Sequence, residues 1–361
     1  TKEQDMDPGD LIPAAEALPV PWGWLYFFLL LTFILHLLLM NIMLGSGIIA
    51  LVNQLRAGSR PAQAMSKDIS VQLPFAIAFT VNLGVAPLLF LQVLYGQFMY
   101  TSSVLMAAYW LSVVGLVILA YVCAYVYDFK FEALGQARTL FLALAVTCLL
   151  LTGFFFTNNM TLMLSPERWS AYFQDKSGTI LNLGDPTLIP RYLHFLLASM
   201  AVAGLFQALI WQRKQKKGLP EAQANVQQGL KWFSYCTALQ ILAGFWFLIA
   251  LPNRIMLLFM GQSLLHTLSL FIVLALALLL LYSAWKQKLW STAALLLALV
   301  AFMVWVRDLV RTAYLEPYYD LSMREVVPQY SPLLVFLLVL LLGLGILAYM
   351  LRLVHRSLKE S

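Results

Sequence analysis

Four polar positions interrupt the long apolar stretches of this chain with side chains that can bind iron or anions. They are His36, His194, the Arg254–Met256 pair and Asp308. Hydrocarbon penalises a polar side chain that nothing engages, so such residues inside apolar runs indicate a functional site. Imidazole nitrogen and thioether sulfur are axial ligands of haem iron, and guanidinium pairs with carboxylates such as those of haem. The pattern therefore predicts a site for an iron porphyrin.

The composition indicates the class of protein that positions these residues. Of 361 residues, 61% are hydrophobic and 11% are charged, whereas soluble domains carry roughly a quarter charged residues. Apolar runs long enough to cross a core of about 30 Å recur along the whole chain. Because they are continuous rather than alternating, they predict helices. We predict an all-α integral membrane protein with nine spans at 22–52, 74–98, 102–127, 138–163, 187–212, 229–251, 253–284, 289–315 and 331–352.

The spans predict one bundle rather than separate domains, since no segment between them is long enough to bury a core of its own. We expect an N-terminal segment over 1–21, a haem-binding bundle over 22–352 and a tail over 353–361. The first segment is acidic and contains prolines, unlike the basic start of a cleavable signal peptide, so the first span is expected to stay in the protein.

The basic residues predict the orientation of the bundle. The segments on the same side as the C-terminal tail, counted with that tail, contain fifteen Lys and Arg residues. The segments on the same side as the N-terminus contain only five, together with eleven acidic residues. The positive-inside rule therefore places the N-terminus outside and the C-terminus inside a bacterial or archaeal cytoplasmic membrane. The segments 164–186 and 316–330 then form an outer docking face. The basic run 213–217 is expected to be a topogenic loop, and no nucleic-acid partner is expected.

His194 and Met256 are the best candidates for ligands of one iron. Imidazole and thioether together suit a low-spin haem, and the sulfur raises its reduction potential. Arg254 is then expected to pair with a haem propionate near the membrane edge. Each residue has a structural alternative, since a transmembrane His is often a hydrogen-bonded packing residue and Met often fills space.

The eighth span carries three charged residues within about one helical turn. Asp308 and Arg311 share a helix face, and Arg307 is adjacent to Arg311. An ion pair with Asp308 accounts for one arginine only. The remaining charged groups therefore indicate a haem propionate that binds the other arginine, or an iron that the carboxylate ligates. The alternative is a charged cluster that snorkels to the outer interface. His266 is expected to be a packing residue, with a reserve ligand as the alternative.

Five motifs in register resemble subunit I of the cytochrome bd quinol oxidases. They are His36 with Leu44-Gly45, the segment 82–86 with Gln92 and Gly96, Arg191-Tyr192-Leu193-His194, Arg254-Ile255-Met256, and Asp308-x-x-Arg311. The resemblance covers nearly all of the chain at low identity. It implies a nine-span fold, one to three b-type haems and a second membrane subunit.

The resemblance also implies roles for individual residues. His36 matches a haem-ligating His, and His194 with Met256 match the axial pair of a low-spin haem b. Asp308 stands where the family has a glutamate that faces a high-spin haem, and Gln92 also replaces a glutamate.

Two further departures from the family affect the expected function. The loop between the sixth and seventh spans is reduced to about 251–253, so the family's quinol site is not carried over. The third span, 100–126, contains no carboxylate for proton delivery.

We therefore predict a haem b electron-transfer subunit of a quinol-linked complex. It would connect the quinone pool to a periplasmic carrier such as a c-type cytochrome, with quinone as a further cofactor. The alternatives are a quinol-oxidising terminal oxidase that reduces oxygen, and a haem-free membrane scaffold. A transporter is not favoured, because no paired broken helices are evident.

Overall fold

The computed structural model describes residues 7–56 and 59–360. These ranges contain ten α-helices: α1 Trp22–Leu55, α2 Arg60–Leu105, α3 Ala107–Phe129, α4 Arg138–Met163, α5 Leu188–Gln215, α6 Ala222–Ala250, α7 Asn253–Leu257, α8 Leu264–Trp285, α9 Leu289–Leu315 and α10 Tyr330–Glu360. Within the described ranges, nine of them, all except α7, are long and apolar enough to cross a membrane. The prediction of an all-α, nine-span membrane protein is confirmed.

Helix α2 is longer than the second span predicted from hydropathy. It begins fourteen residues before position 74, because Met65, Ile69 and Leu73 recur at helical spacing and are buried in the central core. It also continues to Leu105 through a kink at Tyr95, whose φ and ψ of −132° and 30° are not helical. The second and third spans are therefore separated by Met106 alone.

The seventh span was predicted to be one continuous helix over 253–284, and this is wrong. The short helix α7 is followed by a π-helical turn over Leu258–Gln262, and α8 begins only at Leu264. Gly261 has a φ of +122°, a conformation that glycine adopts without steric cost. Residues 253–262 are therefore not a continuation of α8.

Helices α1 and α5 pack unusually closely near their centres. A Cβ atom built on Gly45 of α1 would lie 2.0 Å from the carbonyl oxygen of Ser199 and 2.7 Å from the Cβ of Ala203. Only glycine permits this approach, so the contact fixes the register between the two helices. Glycines make the α5–α6 contact in the same way, since a Cβ on Gly204 would lie 2.7 Å from the carbonyl oxygen of Gly229.

Three segments meet at one end of the bundle, which we call the N-terminal face: residues 7–21, 164–187 and 316–329. Leu18 donates its N–H to the carbonyl of Glu325 at 2.8 Å, and Val327 donates to the carbonyl of Leu18 at 2.9 Å. The turn Pro8–Leu11 packs against the turn Pro166–Phe173. The segments predicted to share a side of the membrane thus lie together, and that this side is the outer one stays a prediction.

The last helix differs from the predicted division into span and tail. Helix α10 continues without interruption through 353 to Glu360. The residues predicted as a tail are therefore helical as far as the structure describes them. The predicted N-terminal segment has its first six residues outside the described ranges.

Candidate functional site

His36 and His194 make the same hydrogen bond to a neighbouring helix. The Nδ1 atom of His36 in α1 lies 3.1 Å from the carbonyl oxygen of Thr80 in α2, and Nδ1 of His194 in α5 lies 3.2 Å from the carbonyl oxygen of Gln240 in α6. A carbonyl only accepts, so Nδ1 carries the proton in both rings. The lone pair therefore belongs to Nε2, the tautomer that metal-ligating histidines adopt.

A glycine faces each of these imidazole rings, four residues after the carbonyl that accepts its hydrogen bond. A Cβ atom on Gly84 would lie 2.8 Å from Cε1 of His36, and one on Gly244 would lie 3.4 Å from Cε1 of His194. The α1–α2 and α5–α6 pairs therefore repeat one arrangement, in which a glycine makes room for an imidazole between two helices.

The two imidazoles lie at nearly the same depth in the bundle. Gly45 packs between Ser199 and Ala203, which aligns the parallel helices α1 and α5. His36 precedes Gly45 by nine residues, and His194 precedes the middle of that contact by seven. At 1.5 Å per residue the difference in depth is about 3 Å.

The environment of His194 also contains a competing hydrogen bond. The side-chain Nε2 of Gln240 lies 3.2 Å from Nε2 of His194, so the amide donates to the nitrogen that would bind a metal. A ligand at this nitrogen requires the Gln240 side chain to turn away, which a flexible side chain can do at small cost.

Met256 lies in α7, beside α9. It packs against a small cluster of Leu251, Ile255, Phe259, Val310 and Ala313, and Phe247 of α6 packs against the same cluster. The guanidinium of Arg191, one turn before His194, lies 5.0 Å from the centre of the Phe247 ring. The contacts described for His194 and Met256 do not join the two side chains directly. His194 contacts Gln240 of α6, and Met256 packs against the same cluster as Phe247 of α6.

Arg254 and Gln92 lie away from these contacts. Arg254 is exposed at the N-terminal face, where Nη2 donates to the carbonyl of Tyr314 at 3.2 Å and Nη1 lies 3.8 Å from the carboxylate of Glu316. Gln92 is half-buried in α2, three residues before the kink at Tyr95. The structure thus gives Arg254 partners within the protein, and it leaves the predicted role of Gln92 as a prediction.

Asp308 and Arg311 form a buried ion pair in α9, with 7% and 6% of their side chains exposed. The hydroxyl of Tyr26 donates to the second carboxylate oxygen of Asp308. The guanidinium of Arg311 lies 4.2 Å from the ring centre of Tyr95. Both oxygens of Asp308 therefore have partners in the protein, so the arrangement favours a structural role for this carboxylate over the predicted role as an iron ligand.

Three arginines line one crevice together with Met160, Met163 and Leu164; we call it the arginine crevice, and its arginines are Arg191, Arg307 and Arg311. Arg307 donates to the sulfur of Met160 at 3.3 Å, and its guanidinium lies 4.5 Å from the centre of the Phe33 ring. The Nε atoms of Arg191 and Arg311 are buried and make no hydrogen bond. The crevice therefore concentrates positive charge with unfilled donors.

His266 has local partners. Its Nδ1 atom lies 2.8 Å from the hydroxyl of Ser263, and its ring lies edge-on to Phe259 at 5.0 Å. These contacts agree with its interpretation as a packing residue. In the described part of the chain, no group of three or more His, Cys, Asp or Glu side chains could hold a metal ion.

Several residues of the site were not predicted from the sequence. Arg191 appeared only as part of a motif, although an arginine beside a transmembrane His is itself a signal. Glycines 84 and 244 lie inside apolar spans, where helix propensity disfavours them, which was a second available signal. The hydroxyl of Tyr26 and the carbonyls of Thr80 and Gln240 gave no signal in the sequence.

The chain has the fold of a chain from a solved bd oxidase. It superposes on a chain of the bd oxidase from Geobacillus thermodenitrificans with a TM-score of 0.69, covering 92% of this chain and 97% of that chain, at 13% sequence identity. No protein-family model and no curated protein matches the sequence. The expected relation in fold is thereby confirmed, whereas an identity this low carries no conclusion about activity.

Proposed function

We propose that this chain is a haem b-binding electron-transfer subunit of a quinone-linked respiratory complex. The observation that carries the proposal is the pair of imidazoles, His36 and His194, which present Nε2 lone pairs at nearly the same depth between two equivalent helix pairs. The likeness to a bd oxidase chain supports a respiratory role.

The residues present fit a haem in three respects. Iron needs a nitrogen lone pair, which the hydrogen bond at Nδ1 reserves at Nε2 of both histidines. A thioether as second ligand is available from Met256, which packs against the same cluster as Phe247 of α6, the residue under the Arg191 guanidinium. The two carboxylates of a haem need cationic partners, and the arginine crevice holds buried guanidinium donors without hydrogen bonds.

We assign His194 and Met256 to a low-spin haem b and His36 to a second haem. A bound haem would supply reversible one-electron chemistry at iron. The protein's part is to fix the tautomer of each imidazole through the Thr80 and Gln240 carbonyls and to keep water from the apolar interior. Arg254 and the arginines of α9 would neutralise carboxylates, and the Asp308–Tyr26 hydrogen bond holds α1 against α9.

The proposed partners follow from the placement of the site. Both imidazoles lie closer to the N-terminal face than the Gly45 contact does, so a soluble redox partner would dock on that face. We propose that it is a periplasmic carrier such as a c-type cytochrome, with a quinone as the membrane-borne reactant. We also propose that the chain assembles with a second membrane subunit in the cytoplasmic membrane of a bacterium or archaeon.

The spectrum of the purified protein tests the ligand assignment. We expect a sharp low-spin b-type band on reduction, and we expect Met256→Ala to convert that haem to high spin or to lose it. Met260→Ala is the matched control, since Met260 lies one turn further along and is 63% exposed. The assignment of Met256 is wrong if its variant leaves the spectrum unchanged, or if both variants change it equally.

A terminal oxidase is the second candidate, because the fold is that of an oxidase chain. Adding carbon monoxide to the reduced protein separates the two functions. A large spectral change indicates an open iron position and favours oxygen chemistry, whereas no change favours electron relay.

A further inference from the structure

We propose that the arginine crevice is a shared site for carboxylate groups from both haems, and that its positive charge raises both reduction potentials. The inference rests on the proposed function, because it requires a haem at His36 and another at His194. It goes further by giving the three arginines one common role and by adding Arg191 to the site.

The charges in the crevice are unbalanced. Three guanidinium groups line it, and Asp308 pairs with only one of them, Arg311. The described contacts of Arg307 are with a neutral sulfur and an aromatic ring, and Arg191 lies on the ring of Phe247. Buried charge without a counterion is strongly unfavourable, so this arrangement calls for an anion.

The carboxylate of Asp185, which acts on Arg191, is already engaged elsewhere. Asp185 precedes α5 and acts on Arg191 electrostatically. Its oxygens, however, accept hydrogen bonds from the N–H of Thr187 at 2.7 Å, from the Thr187 hydroxyl at 2.6 Å and from the Asn182 amide at 3.3 Å. The buried Nε atoms of Arg191 and Arg311 remain without an acceptor. Carboxylates match these donors in charge and in geometry.

The position of the crevice explains why two haems would share it. Arg307 lies on the ring of Phe33, which is one turn before His36 in α1. Arg191 is one turn before His194 in α5. The crevice thus lies between the two histidine-bearing helices, displaced from both imidazoles toward the N-terminal face. The carboxylates of a haem lie together at one edge of the porphyrin, so two haems with that edge toward this face would meet the same arginines.

A shared cation has a measurable consequence. Reduction adds an electron to the haem, and a nearby positive charge stabilises the reduced form. An arginine that contacts carboxylates of both haems therefore raises both potentials. An arginine that contacts only one haem shifts the potential of that haem much more than that of the other, because the Coulomb energy falls with distance.

Redox titration of the purified full-length protein tests the inference. The variants are Arg307→Gln, Arg307→Lys and, as a charge-matched control at the opposite end of the bundle, Arg213→Gln. Arg307 is chosen because it is not the partner of Asp308. The two haem components are identified beforehand by their loss in His36→Ala and in Met256→Ala, and haem content per chain is measured for every variant.

In Arg307→Gln we expect the reduced-to-oxidised ratio of both components at a fixed potential to fall about tenfold, which is about 59 mV for a one-electron couple. Arg307→Lys should restore most of the shift, and Arg213→Gln should leave both components unchanged. A shift several times larger in one component than in the other, or no shift beyond that of Arg213→Gln, overturns the shared site while leaving the haem assignment intact.

Two further results also decide against the inference. If wild-type potentials depend on added phosphate in place of chloride, the crevice holds a mobile anion and not haem carboxylates. If the wild-type protein contains no haem, the proposed function fails and this inference fails with it. A b-type spectrum whose potentials do not change in Arg307→Gln therefore rejects the shared site alone. The absence of a haem spectrum rejects the proposed function as well.

Discussion

Replacing Gly84 with alanine tests the imidazole arrangement directly, because the structure predicts a different outcome at the equivalent Gly244. A Cβ at position 84 would lie 2.8 Å from Cε1 and 3.0 Å from Nδ1 of His36. At position 244 the corresponding distances to His194 are 3.4 and 3.5 Å, which are ordinary contacts. The same substitution should therefore displace one ring and leave the other in place.

The expected size of the effect follows from these distances. To reach a 3.4 Å contact from 2.8 Å, the His36 ring must move by about 0.6 Å. Movement away from α2 by that amount lengthens the 3.1 Å hydrogen bond to Thr80 to at most about 3.7 Å, which weakens or breaks it. Its loss costs roughly 0.5–1.5 kcal/mol, whereas alanine in place of glycine stabilises a helix by roughly 0.5–1 kcal/mol.

We therefore expect Gly84→Ala to leave the melting temperature in detergent nearly unchanged while altering the spectrum and potential of the His36 haem. Gly244→Ala should raise the melting temperature slightly and leave the low-spin haem as it is. Thermal melting and redox difference spectra of both variants are the assays. The reasoning is refuted if Gly84→Ala leaves the His36 component unaltered, or if Gly244→Ala perturbs its haem more than Gly84→Ala does.

Three other variants test separate parts of the structure. Asp308→Ala leaves the buried charge of Arg311 unpaired and should destabilise the bundle by about 3–5 kcal/mol in a denaturation series. Gly45→Ala places a Cβ 2.0 Å from the carbonyl oxygen of Ser199. It should lower the free energy of unfolding by about 1–3 kcal/mol or more in the same denaturation series. Hydrogen bonds from the hydroxyl and the backbone N–H of Ser322 lower the pKa of Asp320. This local structure should therefore persist at neutral pH and be lost as the pH falls through the lowered pKa, which amide exchange corrected for intrinsic rates will detect.

Each of these variants has a matched control. Glu316→Gln removes an exposed ion pair and should change stability by less than about 1 kcal/mol, so equal effects of Glu316→Gln and Asp308→Ala would contradict the role of burial. Gly115→Ala adds a Cβ that meets nothing within 4 Å and should be neutral or stabilising. Asp320→Asn should abolish the pH dependence of exchange, and a dependence that persists in this variant would assign it to another group.

The residues of the candidate site could be identified individually from the sequence, because hydrocarbon makes polar side chains conspicuous. His36, His194 and Asp308 all lie in the interior of membrane-spanning helices, as the hydropathy of the chain indicated. What each of them contacts could not be predicted. Asp308 illustrates the difference, since its partners are Arg311 on its own helix, which spacing indicated, and Tyr26 on α1, which it did not.

The error over the seventh span has a physical cause. Hydropathy does not register a change in backbone conformation, and the stretch over 255–284 contains no Lys, Arg, Asp or Glu. The break depends on the positive φ at Gly261, and glycine is compatible with both a helix and a break. The packing of Met256, Leu258 and Phe259 with α9 decides between them.

The sequence by itself determined the membrane environment, the all-α class, the number of spans and the residue types able to ligate iron or bind carboxylates. These properties follow from composition and from the length of apolar runs, which are local. Only the tertiary structure decided the tautomers of the two imidazoles and the meeting of Arg191, Arg307 and Arg311. The first depends on backbone carbonyls, which every residue has. The second depends on the packing of α5 against α9, two helices far apart in the chain, which no local pattern encodes.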